Sequence, residues 1–241
     1  MSADLLAKAV AAHGGLDRWN QYASVRAAMS VGGALWAAKG RPGVLADVTV
    51  EARLHEQRVT THLNGRGLRH SFVPGRVAVE DEGGRVVSER AEPRAAFRGH
   101  TAETPWDDLH LAYFNGYALW TYLTIPFLYT YPGFVTEELP PWSENGEVWR
   151  PLKAAFPADI ASHAREQVSY FGPDGLLRRH EYAVEVLGGG TGLNYAADYR
   201  TVGGIVVPVT RRVYAADAEH RKIADPLLVS IDLRDISFDR N

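Results

Sequence analysis

WDDLHLAYFNGYALWTYLTIPFLYTY, Trp106 to Tyr131, is the stretch on which the fold turns. Nine of its 26 residues are Phe, Tyr or Trp, against 10% over the chain, and no charge falls between Asp108 and Glu137. Its first two thirds read as helix, with Thr104 as cap, Pro105 at the first helical position and Asp107 three residues after the cap. Pro126 or the Tyr131-Pro132-Gly133 turn stops it. A surface helix shows one apolar stripe and one charged face. This one has no charged face beyond its first turn, so it must be enclosed by a sheet, or by a sheet and a ligand.

What surrounds the helix reads as β-strand. Val25, Ala27, Met29 and Val31 alternate with Arg26, Ala28 and Ser30, the period of a half-buried strand. Further strands are expected at Leu35–Lys39, Val44–Leu54, Arg58–Leu63, Gly67–Val73, Arg76–Asp81 and Arg85–Arg90. After the helix come Val148–Phe156, Glu166–Phe171, Leu176–Val186, Leu193–Val202, Ile205–Tyr214 and Leu227–Phe238. Gly-Arg-Pro-Gly, Asn-Gly, Pro-Gly, Gly-Gly and Pro-Asp-Gly separate them, each a turn signal. A first helix capped by Ser2 carries Leu5, Leu6, Ala9, Val10 and Ala12 on one stripe and ends at Gly14-Gly15. No long linker divides the chain. The expected fold is mainly β: one domain over residues 1–241, a single strongly curved antiparallel sheet or unclosed barrel. The N-terminal helix sits beside it, and the aromatic helix plugs its concave face.

Composition narrows the function. A net charge of -3 argues against a nucleic-acid surface. The chain has no cysteine, which removes disulfides, thiolate nucleophiles, Cys-ligated zinc and lipid-modified cysteine together. The opening MSADLLAKAVAAHGG carries Asp4 and Lys8 in a short apolar run and does not read as an export signal. No run reaches the ~18 apolar residues of a membrane span. The expectation is a cytoplasmic protein without cofactor or metal.

The order of elements, with Ser169-Tyr170-Phe171-Gly172-Pro173-Asp174-Gly175-Leu176-Leu177-Arg178-Arg179 and Tyr199-Arg200-Thr201-Val202-Gly203-Gly204-Ile205-Val206-Val207-Pro208 near the end, resembles the LolA/LolB-like superfamily of lipoprotein-sorting proteins. The resemblance implies an unclosed β-barrel whose hydrophobic concave face is covered by helices and receives acyl chains. An export signal and an acylated cysteine, which carriers and receptors of that superfamily use, are not seen.

Candidate site residues follow from spacing. Trp106, His110, Tyr113, Tyr117 and Trp120 share one helical face; Leu111, Phe114, Ala118 and Tyr122 lie on another. Aromatic rings with polar tips line small-molecule pockets, and they equally fill a plug whose hydroxyls bond the sheet. His100 and His110 flank the helix start beside Asp107 and Asp108. They are open to acid–base work, while the two aspartates suit the helix dipole. His180 and Tyr182 share one strand face, with Glu181 on the other. With Tyr199, Arg211 and Tyr214 on later strands, they would form either a polar floor for a ligand carbonyl or carboxylate, or an ordinary outer face. Gly188-Gly189-Gly190-Thr191-Gly192 reads as a hairpin loop, since no Gly-Lys-Ser/Thr follows.

Two functions remain. One is binding of an apolar or amphipathic small molecule, acyl- or polyketide-like, by Trp106, Tyr113, Phe114, Tyr117, Trp120, Tyr199 and Arg211 in a cavity of at least ~300 Å³. The other is a cofactor-independent cyclase or isomerase using His110, Tyr113, His180 and Tyr182, for which orientation supplies much of the rate. A structural or protein-interaction module would instead show a long exposed edge strand or an apolar surface patch.

Overall fold

The computed structural model describes residues 2–240, with side chains from Asp4 onward. In chain order, α1 (Ser2–Ala12) and α2 (Leu16–Trp19) lead to β1 (Tyr22–Gly32), α3 (Ala34–Ala38) and β2 (Val48–Arg53). The meander continues through β3 (Val59–Leu63), β4 (Leu68–Val73), β5 (Arg76–Asp81) and β6 (Val86–Ala91). The long helix α4 (Asp108–Thr124) follows, then β7 (Val135–Glu138), β8 (Trp142–Glu144), β9 (Glu147–Ala155), β10 (Glu166–Phe171) and β11 (Leu177–Val184). The chain ends with β12 (Gly190–Val202), β13 (Ile205–Ala216), β14 (Lys222–Ile223) and β15 (Val229–Arg240).

Alternation builds the sheet. Val25, Ala27, Met29 and Val31 point inward from β1, and Val229, Ile231 and Leu233 point inward from β15; all are buried. The order along the sheet is β6-β5-β4-β3-β2-β1-β15-β13-β12-β11-β10-β9-β7, every pairing antiparallel. The last strand lies between the first strand and β13, which joins the two meanders into one curled sheet. It does not close: β6 and β7 remain as free edges. On β6, Ser88, Glu89 and Arg90 follow the exposed Val86 and Val87, a polar edge that discourages pairing with other chains.

The helix α4 fills the concave face. Every residue from Leu111 to Tyr122 is buried, so the segment is enclosed on all sides. Its polar groups find partners locally. Thr121 and Thr124 hydroxyls donate to the carbonyls of Tyr117 and Trp120 at 2.9 and 2.7 Å, and Asn115 donates to Thr61 Oγ1 at 3.2 Å. Gly116 sets how deep the helix sits. A Cβ there would lie 2.3 Å from Phe72 Cγ on β4, so the ring occupies the space a side chain would need. No described helix is long and apolar enough to cross a membrane.

Several expected elements differ. Residues 34–38 are helical, not a strand. Ala-Leu-Trp-Ala-Ala are helix formers, and the Trp36 indole donates to the Gly32 carbonyl at 2.9 Å, closing the turn. The strand expected from Val44 begins at Val48. The cap of α4 is Asp107, not Thr104, and the helix starts at Asp108. The Asp107 carboxylate accepts the His110 N–H at 2.8 Å, and His110 Nδ1 lies 2.7 Å from it. The Thr104 hydroxyl instead accepts the Thr101 N–H within its own turn. The short strands β7, β8 and β14 carry too few residues for alternation to show. The cap placed at Ser2 lies outside the described side chains.

Candidate functional site

The site grows from four neighbouring strands. Cross-strand register places Ser169 on β10 opposite His180 on β11, and His180 opposite Asn194 on β12. Asn194 pairs with Val213 on β13, and Arg211 is two residues along, on the same inward face. Side chains directly opposite or diagonal across a ladder can touch. Ser169, His180, Asn194 and Arg211 are all buried, so this is a polar row on the concave side of the sheet. One step along, Tyr182 lies against Gly192, where a Cβ would come within 2.9 Å of its ring.

From above, α4 and a loop complete the cluster. The loop spans residues 157–165 and carries His163, which is buried. Its imidazole stacks on Tyr182 with ring centroids 3.9 Å apart. Its Nε2 meets the Tyr122 hydroxyl at 2.8 Å, and its Nδ1 meets the Tyr117 hydroxyl at 3.2 Å. The Tyr122 and Tyr182 hydroxyls are 2.5 Å apart. Arg211 donates through Nη2 to the Tyr122 carbonyl at 2.7 Å, in the last turn of α4.

Several polar atoms of this row have no partner. They are both ring nitrogens of His180, both amide atoms of Asn194 and Arg211 Nη1. Buried polar groups are normally satisfied, and no protein group makes a close hydrogen bond to these atoms.

Burial sets the protonation states. It lowers His163 to about 3, with the Arg94 charge adding to the effect. It holds His180 well below the ordinary histidine value, reinforced by His163 and Arg211. It raises Tyr122 to about 12 and carries Tyr117 and Tyr182 well above the ordinary phenol. At neutral pH the imidazoles and phenols are uncharged and Arg211 is the cation among them.

Beside this polar wall lies a cavity of about 60 Å³, rimmed by the half-buried Leu35, Leu187 and Leu228. Val31, Trp36, Phe114, Leu119, Val229 and Ile231 supply apolar lining; Tyr122, His163 and Tyr182 form the polar side. This is well below the expected ~300 Å³, because the rings of α4 occupy most of the interior. A larger cleft of about 490 Å³ opens to the outside at Pro74-Gly75, Glu92, Arg94 and Tyr113. The His163 loop separates the two: His163 lines the cavity, while Ala161, Ser162 and Ala164 line the cleft. Three latches hold the loop. The Gln57 amide makes two hydrogen bonds to the Ala161 backbone, at 2.7 and 2.8 Å. Arg94 donates to the Ser162 carbonyl at 2.8 Å, and the Glu185 N–H donates to the His163 carbonyl at 3.2 Å.

The residues proposed from sequence divide by place. His180, Tyr182 and Arg211 belong to the polar row, and Phe114 and Tyr117 reach the same cluster from the helix. Tyr113 is buried against Phe72, Phe97 and Tyr117 and contributes to the outer cleft. Trp106 packs on Phe97 and Phe114. The Trp120 indole donates to the Arg53 and Glu56 carbonyls, tying the helix to the β2–β3 turn. His110 serves the helix cap and packs on Phe97 and His100. Tyr199 is half-buried, donates to the Leu177 carbonyl and packs against His13. Tyr214 is not part of the floor. It has the parity of Arg212, faces outward and packs on Tyr195. Sequence reasoning missed His163, which lies in a loop without period, and Asn194. It placed Tyr122 and Tyr117 on different faces, yet both reach His163, because an enclosed helix offers every face to the interior.

On the outer face a second cation is fully neutralised. Arg179 is stacked on Tyr170 and Trp142 and paired with Glu144 and Glu181 at 2.8 and 2.9 Å. The network fixes β8 and the turn at His220 onto the sheet.

No family model and no curated protein sequence matches the chain. Solved structures do. A LolA superfamily protein from Nitrosomonas europaea superposes with a TM-score of 0.53 at 11% identity, covering 100% of this chain and 94% of that one. A domain described as an outer membrane lipoprotein-sorting protein from Vibrio parahaemolyticus gives 0.54 at 10% identity, covering 99% and 93%. A DUF1329 family protein from Desulfovibrio piger gives 0.50 at 12%, covering 98% and 92%. Matches of this extent at such low identity are matches of architecture, and the chain has a LolA-like fold.

Proposed function

We propose that the protein binds an apolar or amphipathic small molecule inside its curled sheet. The observation that carries this reading is the apolar cavity walled on one side by the Tyr122, His163 and Tyr182 cluster, with the unpaired polar atoms of His180, Asn194 and Arg211 in the row behind it. Small-molecule sites combine those two features. The naming of one similar structure for lipoprotein sorting is in keeping with it. At about 60 Å³ the cavity holds a few waters' worth of space, so a ligand would widen it, either at its half-buried rim of Leu35, Leu187 and Leu228 or by displacing the His163 loop that separates cavity and cleft. Trp106, Trp120 and Tyr113 then support the interior rather than touch the ligand, while Phe114 and Tyr182 line the cavity, Tyr117 stands behind His163, and Arg211 borders the adjoining small void. Native mass spectrometry of protein purified from its own host, followed by organic extraction, tests this. A copurifying acyl- or polyketide-like molecule supports it; protein that stays bare there and takes up no added amphiphile refutes it.

The second reading, a cofactor-independent isomerase or cyclase, draws on the His163–Tyr122 contact at 2.8 Å. A general base works best with a pKa near the operating pH. Burial leaves His163 at about 3, too weak to abstract a proton at neutral pH, and binding is the better-supported reading.

A further inference from the structure

Two arginines are buried in this sheet, and they are treated differently. Arg179, on the outer face, meets Glu144 and Glu181. Arg211, on the inner face, is 2% exposed and pairs with no carboxylate among the described residues. Burial pulls Arg211 below the ordinary arginine value, and His13 and His180 also feel its charge; the groups that oppose the shift are the phenols of Tyr199, Tyr122, Tyr182 and Tyr129. All four are raised above the ordinary phenol value and so are neutral at pH 7. Its nearest electrostatic partner is the Tyr122 carbonyl at the end of α4. A helix C-terminus offers about half an elementary charge, which engages Nη2 and leaves Nη1 without a partner. A buried charge is ordinarily paired.

The neighbours of Arg211 are arranged for an anion. Asn194 and His180 follow it along the inward row, where the Asn194 amide nitrogen, near the Tyr122 hydroxyl, and one nitrogen of the neutral His180 ring can donate. A small void of about 10 Å³ reaches Arg211 and shares Leu119, Tyr122 and Ile231 with the walls of the apolar cavity. Charged recognition and apolar space are therefore adjacent.

We infer that Arg211, with Asn194 and His180, forms a subsite for the acidic head of an anionic amphiphile, a carboxylate whose hydrocarbon tail extends into the cavity beside Phe114 and Trp36. This rests on the proposed interior binding and narrows its ligand class. A neutral ligand would leave the guanidinium uncompensated. Water would satisfy the hydrogen bonds without supplying charge.

The test compares octanoate with 1-octanol, which differ in the head alone, by isothermal titration of the full chain at pH 8. The expected result is at least about tenfold tighter binding of octanoate, with the preference removed in Arg211→Gln. Equal affinities in the wild type overturn the anionic subsite and leave interior binding standing. Failure of both to bind removes the underlying reading as well. If Arg211→Gln does not fold, Asn194→Asp serves instead. It places a carboxylate beside the guanidinium, so the preference for octanoate must vanish; its persistence in either folded variant overturns the inference.

Discussion

The His163 imidazole lies flat on the Tyr182 phenol, centroids 3.9 Å apart and planes 3° from parallel. The same ring is bonded through its two nitrogens to Tyr117 and Tyr122. One loop residue thus joins a strand and a helix across the interior. His163→Ala should cost about 2–4 kcal/mol, from lost packing and two unpaired hydroxyls. His163→Phe should retain the stack and cost less. Urea unfolding of the two variants measures the difference, and equal losses would show the hydrogen bonds to be dominant.

Acid should destabilise the protein well before its carboxylates titrate. Burial lowers His13 and His70 to about 4, His163 to about 3 and His180 further below the ordinary value. Each has a folded pKa below its unfolded value of about 6.5. The unfolded chain therefore binds protons first as pH falls. The stability is fully present above pH 6.5 and is lost towards pH 4, by up to about 1.4 kcal/mol per pH unit for each histidine. Denaturation midpoints measured from pH 8 to 4 should decline across that window, and His163→Phe should flatten the decline. A flat profile would show that these rings are solvated.

Trp120 offers a test of packing. It is almost fully buried, and its indole bonds two carbonyls at 2.8 and 3.0 Å. Trp120→Ala should cost about 3–5 kcal/mol in chemical unfolding, as for large core deletions. A loss below about 1 kcal/mol would mean that the indole stands beside free volume.

The contact between Gly116 and Phe72 predicts a compensated pair. Gly116→Ala improves helix propensity by about 1 kcal/mol, but its Cβ must move the Phe72 ring from 2.3 Å. Overpacking of this kind typically costs about 1–3 kcal/mol, so the net effect is destabilisation. Adding Phe72→Leu should recover part of it. A double-mutant cycle reads this coupling, and strict additivity would contradict the geometry.

Gln57 holds the His163 loop by two hydrogen bonds. Gln57→Ala should raise amide hydrogen exchange in residues 157–165 while leaving β10 to β13 protected. It should also speed uptake of octanoate. Unchanged exchange would place control of the loop with Arg94 and Glu185 instead.

The inward faces of β1 and β15 could be read directly from alternation. Val25 to Val31 and Val229 to Leu233 point where the two-residue period puts them. The enclosed helix was equally legible, since seventeen residues with one charge have no aqueous face to offer. The polar row was readable in half: His180 and Tyr182 share parity, and Arg211 joins them, but register alone excludes Tyr214. His163 was hidden because a loop has no period, and its burial depends on Gln57, more than a hundred residues away in sequence. Cavity volume was not readable at all. It is a small difference between a large enclosed space and the side chains filling it.

The free edges at β6 and β7 have a bearing on that volume. In a closed barrel, strand number and shear fix the diameter, and the lumen changes only if ladder hydrogen bonds break. Here the circumference is interrupted. A change of coiling at the seam would therefore alter the interior without breaking a ladder bond. The unclosed circumference thus leaves the interior volume to the curl of the sheet and the packing within it, not to a strand count.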